Sequence, residues 1–246
     1  RYPHVIDFND EVGFQVDVFY TLFGQLTGNL NFAAASRHYS FSPTGDTVMF
    51  LPVYGSKPRA NSWLPSFNRK FSPFWEAYAE FQYYFEEGGI DYVLVAFNRR
   101  SEDIADELST PAHPEGAIES RRLTAVPVSV QYTLAEGWTL KFVSERQWVY
   151  DDANAAEKRF YNHLLSVSIA KSPIFSVALR YEFTSDKATV DGRKDWTALD
   201  ASYRISNNHT VMLTIGGDRG GQVCANGVCR IVNPFLGVRA SIVSYL

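Results

Sequence analysis

The chain has 246 residues, enough for one large all-β domain, and its net charge of −4 offers no basic field for nucleic acid. A mean hydropathy of −0.18, with no run of about eighteen apolar residues, excludes a helical membrane protein but not a barrel, whose spanning strands are polar on one face. Aromatic residues make up 15%, with 14 Tyr and 18 Phe, a content high for a soluble domain and suited to interfacial girdles.

In chain order, apolar and polar residues alternate over about eleven segments: 11–23, 28–38, 74–86, 90–99, 121–134, 137–150, 159–171, 174–184, 195–206, 209–216 and 235–246. In the third, Trp75, Ala77, Ala79, Phe81, Tyr83 and Phe85 alternate with Glu76, Glu80 and Gln82. In the fifth, Val126, Val128, Val130, Tyr132 and Leu134 alternate with Pro127, Ser129, Gln131 and Thr133. Period two sends successive side chains to opposite faces of a strand. Strands this long, apolar on one face and charged on the other, predict an all-β fold: a transmembrane antiparallel up-and-down β-barrel occupying 1–246 as one outer-membrane domain. A soluble β-sandwich would share the strand content, but with shorter strands and turns every 8–12 residues or so.

The connections alternate as well. Tight turns at 24–27, 87–89, 135–136, 172–173 and 207–208 are separated by long stretches at 39–73, 101–120, 151–158, 185–194 and 217–234. Short periplasmic turns opposite long external loops are the pattern of bacterial outer-membrane barrels, so the expected location is the outer membrane of a Gram-negative bacterium. Counting back from a final strand that descends to the periplasm puts 1–10 in an external loop. An odd strand number does not close a bacterial barrel, so the expectation is a larger barrel of about twelve strands or more, of which this is the C-terminal portion.

The lipid-facing set is expected to include Val12, Phe14, Val16, Val18, Leu30, Phe32, Leu140, Phe142, Leu165, Val167, Leu179, Leu199, Leu213, Ile215, Val238 and Ile242. Trp138, Trp148, Tyr132 and Tyr161 fall near strand ends, at headgroup level. The opposite face carries Gln15, Asn31 and Gln82 with the candidate pore-lining charges Asp17, Arg37, Glu76, Glu80, Lys141, Glu145, Arg180, Glu182, Asp200, Arg204 and Arg239. An Arg or Lys on the lipid face costs roughly 2–4 kcal/mol at the midplane, so these residues should point inward. They would line a hydrated pore of mixed field, or fill a narrow lumen as a network of ion pairs.

Cys224 and Cys229 flank Asn226-Gly227, a pattern that suggests a small hairpin closed by a disulfide in an oxidising compartment; two free thiols, or half of a metal site, are the alternatives. No second Cys or His cluster supplies the four ligands of a zinc site, so no metal and no cofactor are expected. Apolar residues at 48–54 in the longest loop would form a constriction in the barrel mouth, face a protein partner, or pack on themselves. The acidic stretch 101–120, with Glu102, Asp103, Asp106, Glu107, Glu115 and Glu119, begins with a predicted short helix at 101–108 capped by Ser101. His4, His38, His113, His163 and His209 are dispersed and show no nucleophile motif, so an enzyme is not expected. The glycine pairs around Asp218-Arg219 follow a strand without opening a helix, which makes them turn glycines and not a phosphate cradle.

The final strand, Phe235-Leu-Gly-Val-Arg-Ala-Ser-Ile-Val-Ser-Tyr-Leu246, resembles the C-terminal strand of outer-membrane barrels, which the barrel-insertion machinery recognises by its alternation and terminal aromatic. The segment Arg219-Gly-Gly-Gln-Val-Cys-Ala-Asn-Gly-Val-Cys-Arg230 is similar to the ends of large uncharacterised barrels of Bacteroidota and related bacteria. The resemblance implies an outer-membrane location, a larger complete barrel, and contacts with outer-membrane lipid and the insertion machinery. The expected function is a passive channel or transporter for small solutes. The alternative is a non-conducting barrel that anchors a surface or secretion complex through its external loops.

Overall fold

The computed structural model describes residues 11–48, 51–59, 63–105, 118–189, 192–225, 228–232 and 234–244. Its strands are β1 (Glu11–Leu22), β2 (Leu26–Arg37), β3 (Tyr39–Val48), β4 (Leu51–Pro58), β5 (Phe74–Tyr84), β6 (Ile90–Ala105), β7 (Ile118–Ala135) and β8 (Trp138–Asp151). They continue with β9 (Arg159–Lys171), β10 (Phe175–Thr184), β11 (Asp195–Ser206), β12 (His209–Asp218), β13 (Gly221–Ala225), β14 (Val228–Val232) and β15 (Phe235–Ser244). Eleven of them form one antiparallel sheet in the order β1-β2-β5-β6-β7-β8-β9-β10-β11-β12-β15, so neighbours in sequence are neighbours in space. These are the eleven segments that alternation picks out. Tight turns and long connections alternate between them as predicted.

Barrel closure is the part of the expectation that goes further than the sheet. Among the described residues, β1 and β15 each pair along one edge only. Ten antiparallel steps separate them, so the two edge strands run in the same direction.

Two departures from the sequence reading concern the loops. The predicted short helix at 101–108 is strand in its described part: β6 runs to Ala105 and β7 begins at Ile118. Its Ser101, Glu102 and Asp103 pair with Arg122, Arg121 and Ser120. A two-turn helix is marginal in water, whereas the extended ladder satisfies the backbone and sets Glu102 opposite Arg121. The long connection 39–73 contains the β3–β4 hairpin and a short 3-10 helix, Arg69–Phe71. In the connection 217–234 the expected hairpin is present as β13–β14, whose register sets Cys224 opposite Cys229. Residues 1–10, the acidic positions Asp106, Glu107 and Glu115, the histidines His4 and His113, the turn Asn226-Gly227 and the terminal Tyr245-Leu246 lie outside the described residues.

The cross-strand register joins the apolar positions into one continuous face. Val16, Phe32 and Ala77 form one row, and Phe142, Val167, Leu179, Leu199, Ile215 and Val238 form another. This face is uncovered: Val16 is 52% exposed, Val167 45% and Leu179 53%. Around β10 and β12 the polar face shows the reverse, with Glu182 8% and Asp218 7% exposed, whereas Asp17, Arg204 and Arg239 on that face stand open. A water-soluble sheet buries its apolar face and solvates its polar one. Here the pattern is inverted.

Candidate functional site

All eleven predicted pore-lining charges lie on the polar face. Asp17 faces Asn31, which faces Tyr78 between Glu76 and Glu80; the row continues through Asn98, Ala125, Gln147 and Asn162 to Thr184. Lys141 and Glu145 share that side on β8, Arg180 and Glu182 on β10, and Asp200, Thr214 and Arg239 pair in turn across β11, β12 and β15. Period two along each strand and direct opposition between strands together allow only this arrangement.

The densest polar cluster lies at the long-loop end of β8 to β12. The Arg180 guanidinium lies 2.9 Å from Glu182, 3.3 Å from Asp218 and 3.6 Å from Asp200. Asp218 also accepts a hydrogen bond from the Gly220 amide at 2.9 Å, and Asp200 accepts one from Thr214 at 2.8 Å. Beside this group, Arg219 donates to Asn162 at 2.7 Å, lies 3.9 Å from Asp186 and stacks 5.6 Å from the Trp196 ring. Thr184 donates to the same Asn162 oxygen at 2.7 Å, and Asn162 donates to Gln147 at 3.3 Å. Gln147 donates to Glu145, which extends the network onto β8. A cavity of about 220 Å³ lined by Glu145, Gln147, Asn162, Glu182 and Arg219 adjoins one of about 380 Å³ lined by Asp186, Arg193, Trp196, Asp218 and Arg219.

A second cluster lies on the earlier strands. Asn98 donates to Glu76 at 2.5 Å, Tyr78 to Glu80, and both Gln15 and Asn31 to Asp17. Arg100 pairs with Glu102 at 2.9 Å, and Arg121 with Asp151 at 3.2 Å. Lys141 sits 5.9 Å over the Tyr92 ring and Arg239 5.0 Å over Phe235. Arg204 lies on this face without a carboxylate within ion-pair distance among the described residues.

Residues 104–246 match the model of a family of unknown function (DUF6029). The chain belongs to that family. The DUF6029 stretch runs from the end of β6 to the end of the chain, so it contains the whole Arg180 and Arg219 cluster, while β1 to β5 lie ahead of it. No curated protein matches the chain.

Sequence reasoning brought Arg180, Glu182 and Asp200 together but left out Asp186, Asn162, Asp218 and Arg219. The signal was present at 216–221, where a charged pair sits between two glycine pairs. Gly216 has φ +122, and a Cβ there would lie 2.2 Å from the Thr197 carbonyl oxygen, so β12 can approach β11 at that point only without a side chain. Asp186 and Asn162 carry no such mark, because their partners come from other strands. Among the described residues no cluster of three metal-ligating groups occurs.

Proposed function

We propose that this chain forms the wall of an outer-membrane β-barrel and acts as a passive channel for small polar solutes. The carrying observation is the inversion of burial: an apolar face open across eleven strands and a polar face whose charges are partly buried. Lipid tails cover such an apolar face without a further protein layer. On β8 the girdle residues Trp138 and Trp148 are ten positions apart, about 33 Å along a strand at the usual rise. A typical tilt of about 40° projects this to about 25 Å, the height of an outer-membrane apolar band.

The two edge strands run in the same direction, so an all-antiparallel barrel takes an odd number of further strands between them. A total of twelve or more, counted as the eleven present plus at least one, gives a lumen wider than the eight-stranded barrels that side chains fill. In this reading the tight turns are periplasmic and the long connections external, Asp17, Glu76, Lys141, Arg204 and Arg239 line the solute path, and Cys224 and Cys229 are joined as a disulfide in an external hairpin. Enzymatic chemistry has no part in it.

Single-channel recording in a planar bilayer tests the function. Stable conductance steps are expected; a folded, inserted and silent barrel would overturn the channel. A second reading, a non-conducting anchor for a surface or secretion complex, has its own support. The Arg180 and Arg219 networks tie charges to one another and not to open water, and two of the external connections carry hairpins.

A further inference from the structure

We propose that the apolar face carries, at its long-loop end, a binding site for the phosphorylated headgroup of an outer-leaflet glycolipid. The proposal rests on the membrane reading above. The cross-strand register builds a row Trp75, Ser101, Arg122, Tyr150 and Arg159 over β5 to β9. The next row towards the midplane is Ala77, Arg99, Thr124, Trp148 and Tyr161, and Arg146 lies one row further. Four arginines therefore sit together on a mainly apolar face, interleaved with aromatic rings.

Their surroundings differ from those of their immediate neighbours in sequence. Arg100 and Arg121, on the polar face, pair with Glu102 and Asp151. Arg99 and Arg122, one residue away and on the opposite face, have no carboxylate within ion-pair distance among the described residues, and neither do Arg146 and Arg159. Three of the four lie instead over rings: Arg122 is 6.0 Å and Arg159 5.9 Å from the centre of Tyr150, and Arg146 is 3.7 Å from Tyr161 and 5.8 Å from Trp148. Among the described residues the nearest carboxylates on this face, Asp103 and Asp152, stand one row above and are held by Arg69 at 3.4 Å and Lys158 at 2.6 Å.

The chemistry follows from this placement. Ring contact holds the flat faces of the Arg122, Arg146 and Arg159 guanidiniums and leaves their N–H edges to the outside. Those edges match phosphate oxygens in paired, charge-assisted hydrogen bonds. Four like charges in adjacent rows repel one another, and an anion between them relieves the repulsion. A groove of about 510 Å³ lined by Trp75, Arg99, Arg122, Trp148, Tyr150 and Arg159 opens at this point. Trp148 marks the headgroup level, so the groove faces the phosphates of the outer leaflet and not its tails. At the tight-turn end of the same strands, the only basic side chain on this face among the described residues is Lys171, over Trp138 at 5.2 Å. The asymmetry matches a membrane whose two leaflets carry different headgroups.

The test uses the full chain inserted in phosphatidylcholine nanodiscs, with the Trp75 and Trp148 fluorescence and native mass spectrometry as readouts. Diphosphoryl lipid A, its dephosphorylated form and phosphatidylglycerol are the probes. Diphosphoryl lipid A is expected to bind at least about tenfold more tightly than either of the others, the effect of one charge-assisted contact or more. The R122Q and R159Q double variant should lose that preference, while K171Q keeps it. Equal binding of phosphorylated and dephosphorylated lipid A by the wild-type protein overturns the site, as does equal binding of phosphatidylglycerol, and neither result depends on how a variant folds. A chain that stays in solution without detergent overturns the membrane reading instead, so the two failures are distinct.

Discussion

Arg180 on β10 and Asp218 at the end of β12 meet at 3.3 Å across the intervening strand β11. The bridge spans two strand spacings and is shared with Glu182 and Asp200, so one guanidinium ties three strands together. Glu182 and Asp218 are both largely buried, and removing this cation takes an ion pair from each of them. R180M should destabilise the folded protein by about 3 kcal/mol, read as a lower denaturant midpoint in lipid vesicles. Adding E182Q and D218N to R180M should restore most of the loss, because the buried negative charge that faced Arg180 is then removed as well. A triple variant no more stable than R180M would show that the bridge acts by packing alone.

Arg204 and Arg239 lie on the same face outside this network, so their charge acts on passing ions and not on a neighbouring carboxylate. Neutralising both, as R204Q with R239Q, should shift the reversal potential of the channel towards cations and raise the cation permeability ratio severalfold. The fold should be unaffected, since neither guanidinium anchors a buried acid. An unchanged reversal potential would mean that these residues do not line the path.

The strands were legible because each one reports its own orientation. Alternation such as Trp75 to Phe85 needs no knowledge of a partner, and eleven such runs with alternating turn lengths define the sheet and its order. The site was legible to the same depth. Asp17, Glu76 and Arg180 could be assigned to one face by parity alone, but their pairing could not, because Arg180 bonds to Asp218 thirty-eight positions away. The 101–108 stretch was misread for a related reason. Its acidic residues and Ser101 favour a helix locally, and only the opposing Arg121 and Arg122 make the extended form better. The arginines Arg99, Arg122, Arg146 and Arg159 break the apolar alternation, and read singly they look like exceptions; the register gathers them into one patch.

Two glycines separate backbone strain from side-chain displacement. A Cβ at Gly216 would meet the Thr197 carbonyl oxygen at 2.2 Å from a backbone at φ +122, and neither can move without shifting a strand. At Gly28 the same atom would meet the Tyr20 ring at 2.0 Å, and a side chain can swing away. G216A should cost about 2–3 kcal/mol, and G28A about 1 kcal/mol, the contact of Tyr20 with Phe81 at 6.4 Å being the part lost. Denaturant midpoints of the two variants give the comparison, and a costlier G28A would contradict it.

Cys224 and Cys229 oppose each other in the β13–β14 register. Directly opposed residues in an antiparallel pair have Cα atoms about 4.5–5.5 Å apart, within the span a disulfide bridges. Protein extracted without reductant should therefore be lighter by two hydrogens than the reduced form and should take up no thiol reagent when denatured. Labelling of both cysteines under those conditions would leave two free thiols.

The loop between β8 and β9 carries an ion pair with a definite pH response. The Lys158 ammonium donates to Asp152 at 2.6 Å and Tyr150 donates at 3.1 Å, which together hold the Asp152 carboxyl below the ordinary carboxylate range. The same bond holds the Lys158 ammonium above its ordinary range. A depressed carboxyl contributes order above its unfolded value, about 3.9, and that contribution is lost as the pH falls through the folded value. A raised ammonium contributes fully below its unfolded value, about 10.4, and is lost as the pH rises through the folded one. The loop should therefore be most protected between about pH 4 and pH 10, with protection declining on either side. Protease cleavage within 152–158 as a function of pH measures this directly. D152N should flatten both limbs together, since a single pair produces them, and loss of only the acid limb would show that Lys158 is held by another group.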